Sequence, residues 1–494
     1  MTRCSTTRIR GGRLDALTTR HAAIAACVVL ALAGCASMAP RVNSSAAIDV
    51  PDAWSVTDAA APAGPSSLVG WWLRFGDPLL ANLIADALRS NTTVTGAQAA
   101  LRQARALREV AAAALLPTLG SSASVQRSSA SSNAAPALGR TTTNNFQAGL
   151  DANWELDLFG VNRNALTATE ATARASAASL GDVQVSIAAE LALAYVTLRN
   201  AQARLAIANA NLASQQETLQ ITQWRQQAGL VTSLAAEQAR AAAEQTGALV
   251  PALQIGIEQA SHALAVLSGR PPAALAAVLA DAAPVPQPSD DLALSMPAET
   301  LRQRADVRSA EHQISAAQAR VSQAEAARLP RFSIGGSLGL SALTFGALTN
   351  GASVVATLLG SVSWPVFDGG AARAQVDVQQ AALDQAVQAY RGVALLALKD
   401  VEDALVALRG DRLRLARLVN AADAATNAAG MARQRYGSGL VDFQTVLETQ
   451  RTQLGTQDGV ASARADVSSD HVRLYKALGG GWEPDRNINQ VSMP

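Results

Sequence analysis

Cysteine, histidine and aromatic residues are scarce in this sequence, and their scarcity excludes several kinds of site. The 494 residues contain three cysteines, four histidines and 4% aromatic residues. No cysteine follows Cys35, so neither a disulfide framework nor a cysteine-based metal site is expected in the rest of the chain. No two histidines have ligand spacing, and neither a G-x-S-x-G motif nor a phosphate-binding glycine loop occurs. We therefore expect no metal site, no cofactor and no enzymatic activity.

The N-terminus has the composition of a secretory signal. Five arginines lie in residues 1–34, and the apolar run at 22–34 is too short for a permanent transmembrane helix. The run ends in LAGC, which resembles the lipoprotein box whose cysteine, here Cys35, becomes the first residue and carries an N-acyl diglyceride lipid. Ala36 rather than aspartate follows the cysteine, and in that pattern this implies sorting to the outer membrane. Removing residues 1–34 takes away five arginines and Asp15 and changes the net charge from +1 to −3, which does not favour nucleic-acid binding.

Long hydrophobic runs are also lacking after Cys35. No run approaches the roughly 20 apolar residues that a membrane-spanning helix needs. An envelope protein without such a helix either stays on one side of the membrane or crosses it as β-strands.

The chain contains an internal duplication. Motifs recur in the same order at offsets of 210 or 213 residues. The pairs are ALRSNTTV at 87–94 with TLRQRADV at 300–307, AAAALLP ending at Pro117 with EAARLP ending at Pro330, WELDLFG from Trp154 with WPVFDGG from Trp364, and LVTSLAAEQAR after Gly229 with LVDFQTVLETQR after Gly439. Each half reads as a medium helix, a proline, a strand, a polar loop, a strand, a very long helix, a glycine turn and a long helix.

This order of helices, strands and turns predicts the domain organisation. The expected segments are a removed signal peptide at 1–34, a lipidated N-terminal segment at 35–76, a first repeat at 77–270, a proline-rich linker at 271–298, a second repeat at 299–480 and a C-terminal tail at 481–494. Within the repeats we expect strand hairpins at about 118–157 and 331–367, and long helices at 161–268 and 371–478.

The strands alternate between apolar and polar residues with period two. In NFQAGLDANWELD at 145–157 the apolar residues share one parity, and Asp151 and Glu155 share the other. The second hairpin repeats the pattern, with Val355 and Leu359 as exceptions on its polar parity. The lengths suit transmembrane strands with one face to lipid and one to a lumen. The alternative is a small soluble sheet packed on helices. We interpret Asp151 and Glu155 as ordinary residues of the strand face that contacts water. In a barrel they would also give the lumen an acidic lining.

The long helices carry apolar residues at alternating steps of three and four, which is the spacing of a coiled-coil seam. The first seam comprises Ile187, Leu191, Ala194, Leu198, Ala201, Leu205, Ala208 and Leu212. The second comprises Leu383, Val387, Tyr390, Ala394, Ala397, Val401, Ala404 and Leu408, and continues from Leu415 through Leu418, Ala422, Ala425, Ala429 and Ala432 to Tyr436. Asp411 interrupts the second seam.

Four strands cannot close a barrel alone, because every sheet edge in hydrocarbon must be paired. A barrel of eight strands has an interior filled by side chains. Copies of the chain must therefore associate, and two copies would give a plugged barrel and three an open one. These arguments alone do not determine the number of copies.

Several longer stretches resemble one known family. SLVGWWLRFGDPLLANLIADALRSNTTVTGAQAALRQARA, WELDLFGVNRNAL, RADVRSAEHQISAAQARV, WPVFDGGAARAQV and RYGSGLVDFQTVLETQ resemble the TolC-like outer-membrane factors and, with the lipid box, the NodT-type lipoprotein channels of tripartite efflux pumps. The resemblance extends from about residue 66 to 482. It implies a homotrimer with a twelve-stranded β-barrel in the outer membrane, continued by an α-helical coiled-coil barrel across the periplasm.

The resemblance also implies a mechanism and its partners. The channel would be a passive duct, driven by an inner-membrane pump of the resistance-nodulation-division class through a periplasmic membrane-fusion adaptor. The adaptor would dock on the helix turns at Gly229 and Gly439. The positions that match a periplasmic aperture are Glu448, Gln444 and Tyr436, where Gln444 departs from the apolar residue of some relatives. Alternatives are an ordinary solvated carboxylate at Glu448 and simple packing at Tyr436.

Two other functions remain compatible with the sequence. One is the exit duct of a type I secretion system. The other, from a different class, is a lipidated trimeric coiled-coil envelope scaffold, which would not need two hairpins of lipid-facing strands at matched positions.

Overall fold

The computed structural model describes residues 50–55, 68–131, 140–288, 297–349 and 351–483. The predicted signal peptide 1–34 and Cys35 lie outside the described residues. So do most of segment 35–76, part of linker 271–298 and most of tail 481–494. The predicted domain boundaries and the lipid on Cys35 therefore stay predictions.

Helices and strands follow one another in the order that the duplication predicts. The first half contains α1 (Pro78–Ser90), α2 (Thr92–Ala113), β1 (Thr118–Ser131), β2 (Arg140–Leu156), α3 (Val161–Gln227), α4 (Ser233–Gly247) and α5 (Leu249–Leu267). The second half contains α6 (Pro297–Gln303), α7 (Ala305–Ala326), β3 (Arg331–Ala342), β4 (Val354–Ser363), α8 (Ala371–Gly437) and α9 (Phe443–Ala477). The chain is mainly α with a small β part, which confirms this part of the predicted fold class.

The duplication extends to single hydrogen bonds. The indole Nε1 of Trp154 donates to the Leu115 carbonyl at 3.0 Å, and that of Trp364 donates to the Arg328 carbonyl at 3.1 Å. Both acceptors lie two residues before the proline that precedes a hairpin. The tryptophan at the end of each hairpin thus connects it to the segment that follows the preceding helix.

The two long helices also begin in the same way. Asp157 and Asp368 accept hydrogen bonds from backbone N–H groups at the start of α3 and α8, at distances of 2.8 to 3.2 Å. Gly160 and Gly370 precede the helices with φ of 85° and 89°, a left-handed conformation that favours glycine. Both helices then run for 67 residues, on the order of 100 Å.

The described residues contain one four-stranded antiparallel sheet with the order β1-β2-β3-β4. Residues directly opposite each other in such a sheet point to the same face. Leu150 lies opposite Leu338, Leu338 lies opposite Ala356, and Trp154 lies opposite Ile334. The apolar parities of β2, β3 and β4 therefore form one continuous face, as the alternation predicts.

The main apolar core lies where α1, α3, α5 and α9 pack together. Trp71 is fully buried and stacks on the ring of Tyr475 at a centroid distance of 5.3 Å. The Tyr195 hydroxyl donates to Asp77 at 2.6 Å, and Asp77 also caps the first turn of α1. This core connects the two halves, because Trp71 and Tyr195 come from the first and Tyr475 from the second.

The predicted seam of α8 is buried along most of its length. Its buried members are Leu383, Val387, Ala394, Ala397, Val401, Ala404, Leu408, Ala422, Ala425, Ala429, Ala432 and Tyr436. The predicted seam of α3 is buried at Ile187, Leu191, Leu198 and Ala208 and half-buried at Ala194, Ala201, Leu205 and Leu212. The heptad spacing continues there through the buried polar residues Asn211, Gln215, Thr218 and Thr222.

Two of these buried polar residues, Asn211 and Thr218, have partners on α9. The Asn211 amide donates to Gln457 at 2.9 Å, and Gln450 donates to the Thr218 hydroxyl at 3.0 Å. Hydrogen bonding offsets the cost of burying Asn211 and Thr218, so polar residues replace apolar ones in this part of the seam.

The predicted single helix after Gly229 is divided into α4 and α5 by a break at Ala248. Pro251 lies in the first turn of α5. A proline has no N–H to donate and its ring clashes with the carbonyl four residues earlier, so the helix restarts before it. The corresponding helix of the second half, α9, contains no proline and runs for 35 residues.

One helix of the described part of the chain, α3, contains a window apolar enough to cross a membrane by length and composition. This differs from the sequence expectation that no such run follows Cys35. Within the window 56% is buried inside the chain, because its apolar side packs against other helices.

Gly181, the one glycine inside α3, lies against Trp482 near the end of the described chain. A Cβ on Gly181 would meet the Trp482 ring at 2.5 Å. We expect Gly181→Ala to lower the free energy of unfolding by about 1–3 kcal/mol, because the ring must move away from α3. Thermal unfolding of the purified variant measures this loss.

Gly410→Ala is the matched control for this helix position. Gly410 lies inside α8 and a Cβ there would meet nothing within 4 Å. Alanine should stabilise it by about 0.5–1 kcal/mol through helix propensity. Equal effects of the two alanines would contradict the role of the Trp482 contact.

Candidate functional site

The sheet has one apolar and one polar face. On the apolar face Leu338 and Leu358 are 57% and 84% exposed, so the chain itself does not cover this face. On the polar face hydroxyl groups pair across strands, with Ser333 and Ser361 at 2.6 Å and Ser337 hydrogen-bonded to Thr357. A sheet of this kind suits a boundary between lipid and water.

The two outer strands leave edges that are open within the chain. Strand β1 pairs only with β2, and β4 pairs only with β3, among the described residues. Each edge presents backbone N–H and C=O groups that must find partners in a membrane. The sheet is therefore a segment of a larger closed structure.

Asp151 and Glu155 lie on the polar face, as predicted. Asp151 is exposed, stands opposite Gly120 and accepts a hydrogen bond from the Ser122 hydroxyl at 3.1 Å. Glu155 is half-buried and stands opposite Ser333. The structure places both carboxylates with the serine hydroxyls and away from the apolar face.

The glycine turns at Gly229 and Gly439 have the same geometry. Their φ angles are 73° and 76°, and the N–H of the following leucine donates to the arginine carbonyl five residues earlier, at 2.8 and 2.9 Å. This is the hydrogen bond of a Schellman motif, which ends a helix with a left-handed residue. The leucines after the glycines, Leu230 and Leu440, are 69% and 74% exposed. Each turn thus presents an apolar side chain at the end of a helix pair.

The predicted aperture residues Glu448 and Gln444 are exposed and lie four residues apart on one face of α9. Asp442 caps the start of that helix, and its carboxylate accepts from the backbone N–H of Thr445 at 2.9 Å. Hydrogen bonds from Thr445 lower the pKa of Asp442 below its usual value of 3.8. The cap sets where α9 starts, and the first two turns then direct Gln444 and Glu448 to the same side.

Tyr436, in contrast, is buried at the end of α8. Its ring packs edge-on against Phe443 at 5.9 Å, and the Arg225 guanidinium lies 4.6 Å from the ring centroid. Its hydroxyl lies 3.4 Å from the Thr222 hydroxyl on α3. Tyr436 therefore both packs and reaches a neighbouring helix, and the structure does not bring it together with Glu448 in one polar site.

Sequence reasoning missed Arg225. Its Nη1 donates to the Tyr436 carbonyl at 2.6 Å, so it joins the end of α3 to the end of α8. The available signal was the duplication: Arg225 and Arg435 each lie four residues before a turn glycine.

No group of three or more histidine, cysteine, aspartate or glutamate residues suited to a metal ion occurs among the residues that the structure describes. Several described carboxylates form caps and ion pairs, such as that of Asp458 with Arg204 at 2.6 Å.

A lipid-compatible sheet with two open edges, continued by helices of 67 residues, defines a channel-forming protein of the bacterial outer membrane. The sequence itself assigns the family. The chain belongs to the outer membrane efflux protein family, whose sequence profile matches residues 83–270 and 296–480. These two matched segments correspond to the two halves of the duplication.

Individual relatives agree with this assignment. The chain is similar to the outer membrane protein OprJ of Pseudomonas aeruginosa, with 29% identity over 469 residues, 94% of this chain and 97% of the relative. It is similar to the pyoverdine export outer membrane protein OpmQ of Pseudomonas putida, with 32% identity over 463 residues, 92% of this chain and 96% of the relative. Its structure resembles that of the outer-membrane channel OprN with a TM-score of 0.80 and 35% identity, covering 88% of this chain and 99% of the other.

The predicted resemblance to outer-membrane factors is confirmed. The chain is an outer-membrane channel of an efflux system, located in the bacterial outer membrane and extending into the periplasm. Its family consists of channels and not of enzymes.

Proposed function

We propose that three copies of this chain form a passive duct across the outer membrane, with a barrel of twelve strands continued by the long helices through the periplasm. The observation that carries the proposal is the sheet, whose apolar face is continuous in register and whose β1 and β4 edges are open within one chain. Pairing β4 of one copy with β1 of the next would satisfy both edges. Eight strands would leave the barrel filled and twelve would leave it open.

Planar-bilayer recording of the purified full chain, combined with its mass in detergent, tests this proposal. A trimeric duct gives discrete conductance steps and a mass of three chains. A trimeric envelope scaffold, the competing class, gives the same mass but no conductance. A stable monomer without conductance would overturn the proposal.

The helix turns support a proposal for the partners. Leu230 and Leu440 are exposed at equivalent turns that begin α4 and α9. Exposed apolar side chains at a helix end are typical of a surface that a partner protein covers. A periplasmic membrane-fusion adaptor would dock there, and an inner-membrane pump of the resistance-nodulation-division class would drive export through it. A lipid on Cys35 would add a membrane anchor.

Glu448 supplies a test of the proposed aperture. In a trimer three copies of this exposed carboxylate would face one another, repel and attract cations. We expect Glu448→Gln to change single-channel conductance and to weaken block by divalent cations. Bilayer recordings of the two proteins measure both quantities.

Glu217→Gln is the matched control, because Glu217 is also an exposed glutamate on a long helix but lies outside the predicted aperture. The control should conduct like the unaltered protein. Identical recordings for all three proteins would mean that Glu448 is an ordinary solvated carboxylate.

A further inference from the structure

The seam between α8 and α9 contains a charged residue at a position that the heptad reserves for apolar side chains. Asp411 falls between Leu408 and Leu415 in steps of three and four. It is half-buried, whereas Leu408 is buried in the cluster that joins the two helices. A coiled coil that places a carboxylate in its seam loses stability unless the group is satisfied.

A second carboxyl group, Asp470 of α9, lies beside Asp411. Arg414 donates to both Asp411 and Asp466 of α9, and Asp470 follows Asp466 by one helical turn. The Asp470 side chain is fully buried, and Arg473 donates to its Oδ1 at 2.7 Å. Its Oδ2 is buried and has no hydrogen-bond donor among the described residues. Burial and the neighbouring Asp411 carboxyl raise the pKa of Asp470 to about 6, against the lowering effect of Arg473.

Other charged groups around the pair are already engaged. On α8, Arg414 donates to Asp411 at 3.4 Å and to Asp466 of α9 at 3.0 Å, and Arg412 lies 3.1 Å from His471 Nε2.

A cavity of about 400 Å³ is lined in part by Asp470. Its charged lining residues are Asp182 of α3, Arg304 and Asp306 at the start of α7, Asp400 and Asp403 of α8, and Arg473 and Lys476 of α9. Arg304 pairs there with Asp306 and Asp400. In the described part of the linker, the Pro286 carbonyl accepts from Ser468, two residues before Asp470.

Asp470 Oδ2 lacks a hydrogen-bond donor among the described residues, and a proton bound between the two carboxyl groups would provide one. We propose that Asp411 and Asp470 form a proton-binding pair in the α8–α9 seam. In acid the pair takes one proton from solvent, and a carboxyl–carboxylate hydrogen bond joins the helices. Near neutral pH the proton is released, and two negative charges face each other in a partly buried seam.

The sign of the pH dependence follows from the folded-state pKa. That of Asp470 is raised from 3.8 to about 6, so the folded chain binds more protons than the unfolded chain between these values. Stability from this group is therefore present in acid and is lost as the pH rises through about 6. Carboxylates in ordinary ion pairs have the opposite dependence.

The test is the unfolding temperature of the purified full chain in detergent between about pH 4.5 and about pH 7.5, where this linkage operates. Asp470→Asn keeps the size of the side chain and supplies a permanent donor to Asp411. We expect this variant to unfold at a higher temperature than the unaltered protein at neutral pH. We also expect the difference between the two to shrink as the pH falls below about 6.

Two further variants complete the test. Asp411→Asn, at a half-buried site, should also flatten the dependence of the unfolding temperature on pH, and the Asp411→Asn/Asp470→Asn double variant should flatten it no further. Asp466→Asn is the control, because it removes an exposed partner of Arg414 and leaves the pair intact; its pH profile should follow that of the unaltered protein. If the Asp411→Asn and Asp470→Asn profiles also run parallel to that of the unaltered protein, or if Asp466→Asn changes the profile as they do, the proposal is overturned.

Discussion

Replacement of Leu338 by arginine is expected to abolish assembly of the chain in the outer membrane. Leu338 lies at the centre of the apolar face, opposite Leu150 in β2 and Ala356 in β4. An arginine on the lipid face near the bilayer midplane costs about 2–4 kcal/mol, and a trimer would carry three, or about 6–12 kcal/mol. The measurement is the fraction of expressed protein recovered from outer membranes as a detergent-resistant oligomer, which we expect to fall close to zero.

Ser337→Arg is the control for this prediction, one residue away on the same strand. Ser337 lies on the polar face and hydrogen-bonds to Thr357, so an arginine there would extend into the water-filled side of the barrel. The variant should assemble and shift ion selectivity towards anions. If the Ser337 and Leu338 variants assemble equally well, the assignment of the two faces is wrong.

The faces of the sheet were predictable because a strand side chain has only two directions. Alternation in 145–157 assigned Leu150 and Trp154 to one face and Asp151 to the other before any pairing was known. The pairing of β2 with β3, which joins the two hairpins into one sheet, was not predicted. It depends on contacts between segments about 190 residues apart, and no local pattern encodes them.

The helices were predictable in extent but not along their whole seams. The order of strand, very long helix and glycine turn in each half predicted α3 and α8, and an apolar heptad predicted the buried stripe of α8. A search for apolar residues cannot detect the part of the α3 seam that begins at Asn211. There Asn211 and Thr218 are buried and pair with residues of α9. The break at Ala248 was detectable from Pro251, whose effect on the preceding turn is local.

In the candidate site, too, some features were predictable from the sequence and others were not. The turn glycines were predictable because Gly229 and Gly439 need a left-handed conformation and recur at a fixed offset. The contacts of Tyr436 were not, because Arg225 reaches it from a helix 211 residues earlier in the chain. Glu448 points to solvent from a single chain, so its role depends on neighbouring copies rather than on contacts that its own sequence neighbourhood determines.

Truncation of Tyr436 to alanine is the second change with a large expected effect. The side chain is 4% exposed and contacts Phe443, Arg225 and Thr222. Removing a buried aromatic ring costs about 3–5 kcal/mol. Because this ring joins the end of α8 to α3 and α9, the loss should concentrate at the glycine turns. Limited trypsin cleavage after Arg225 and Arg435 should become many times faster than in the unaltered protein, while the core around Trp71 stays resistant.

Tyr436→Phe decides whether the ring or its hydroxyl maintains the turns. The hydroxyl lies 3.4 Å from that of Thr222, which is long for an O–H···O hydrogen bond. Its loss should therefore cost at most about 1 kcal/mol. The ring contacts with Phe443 and Arg225 persist in phenylalanine, so cleavage after Arg225 should change little. Cleavage as fast as in Tyr436→Ala would instead show that the hydroxyl bond to α3 maintains the turn, and that packing at this seam position is secondary.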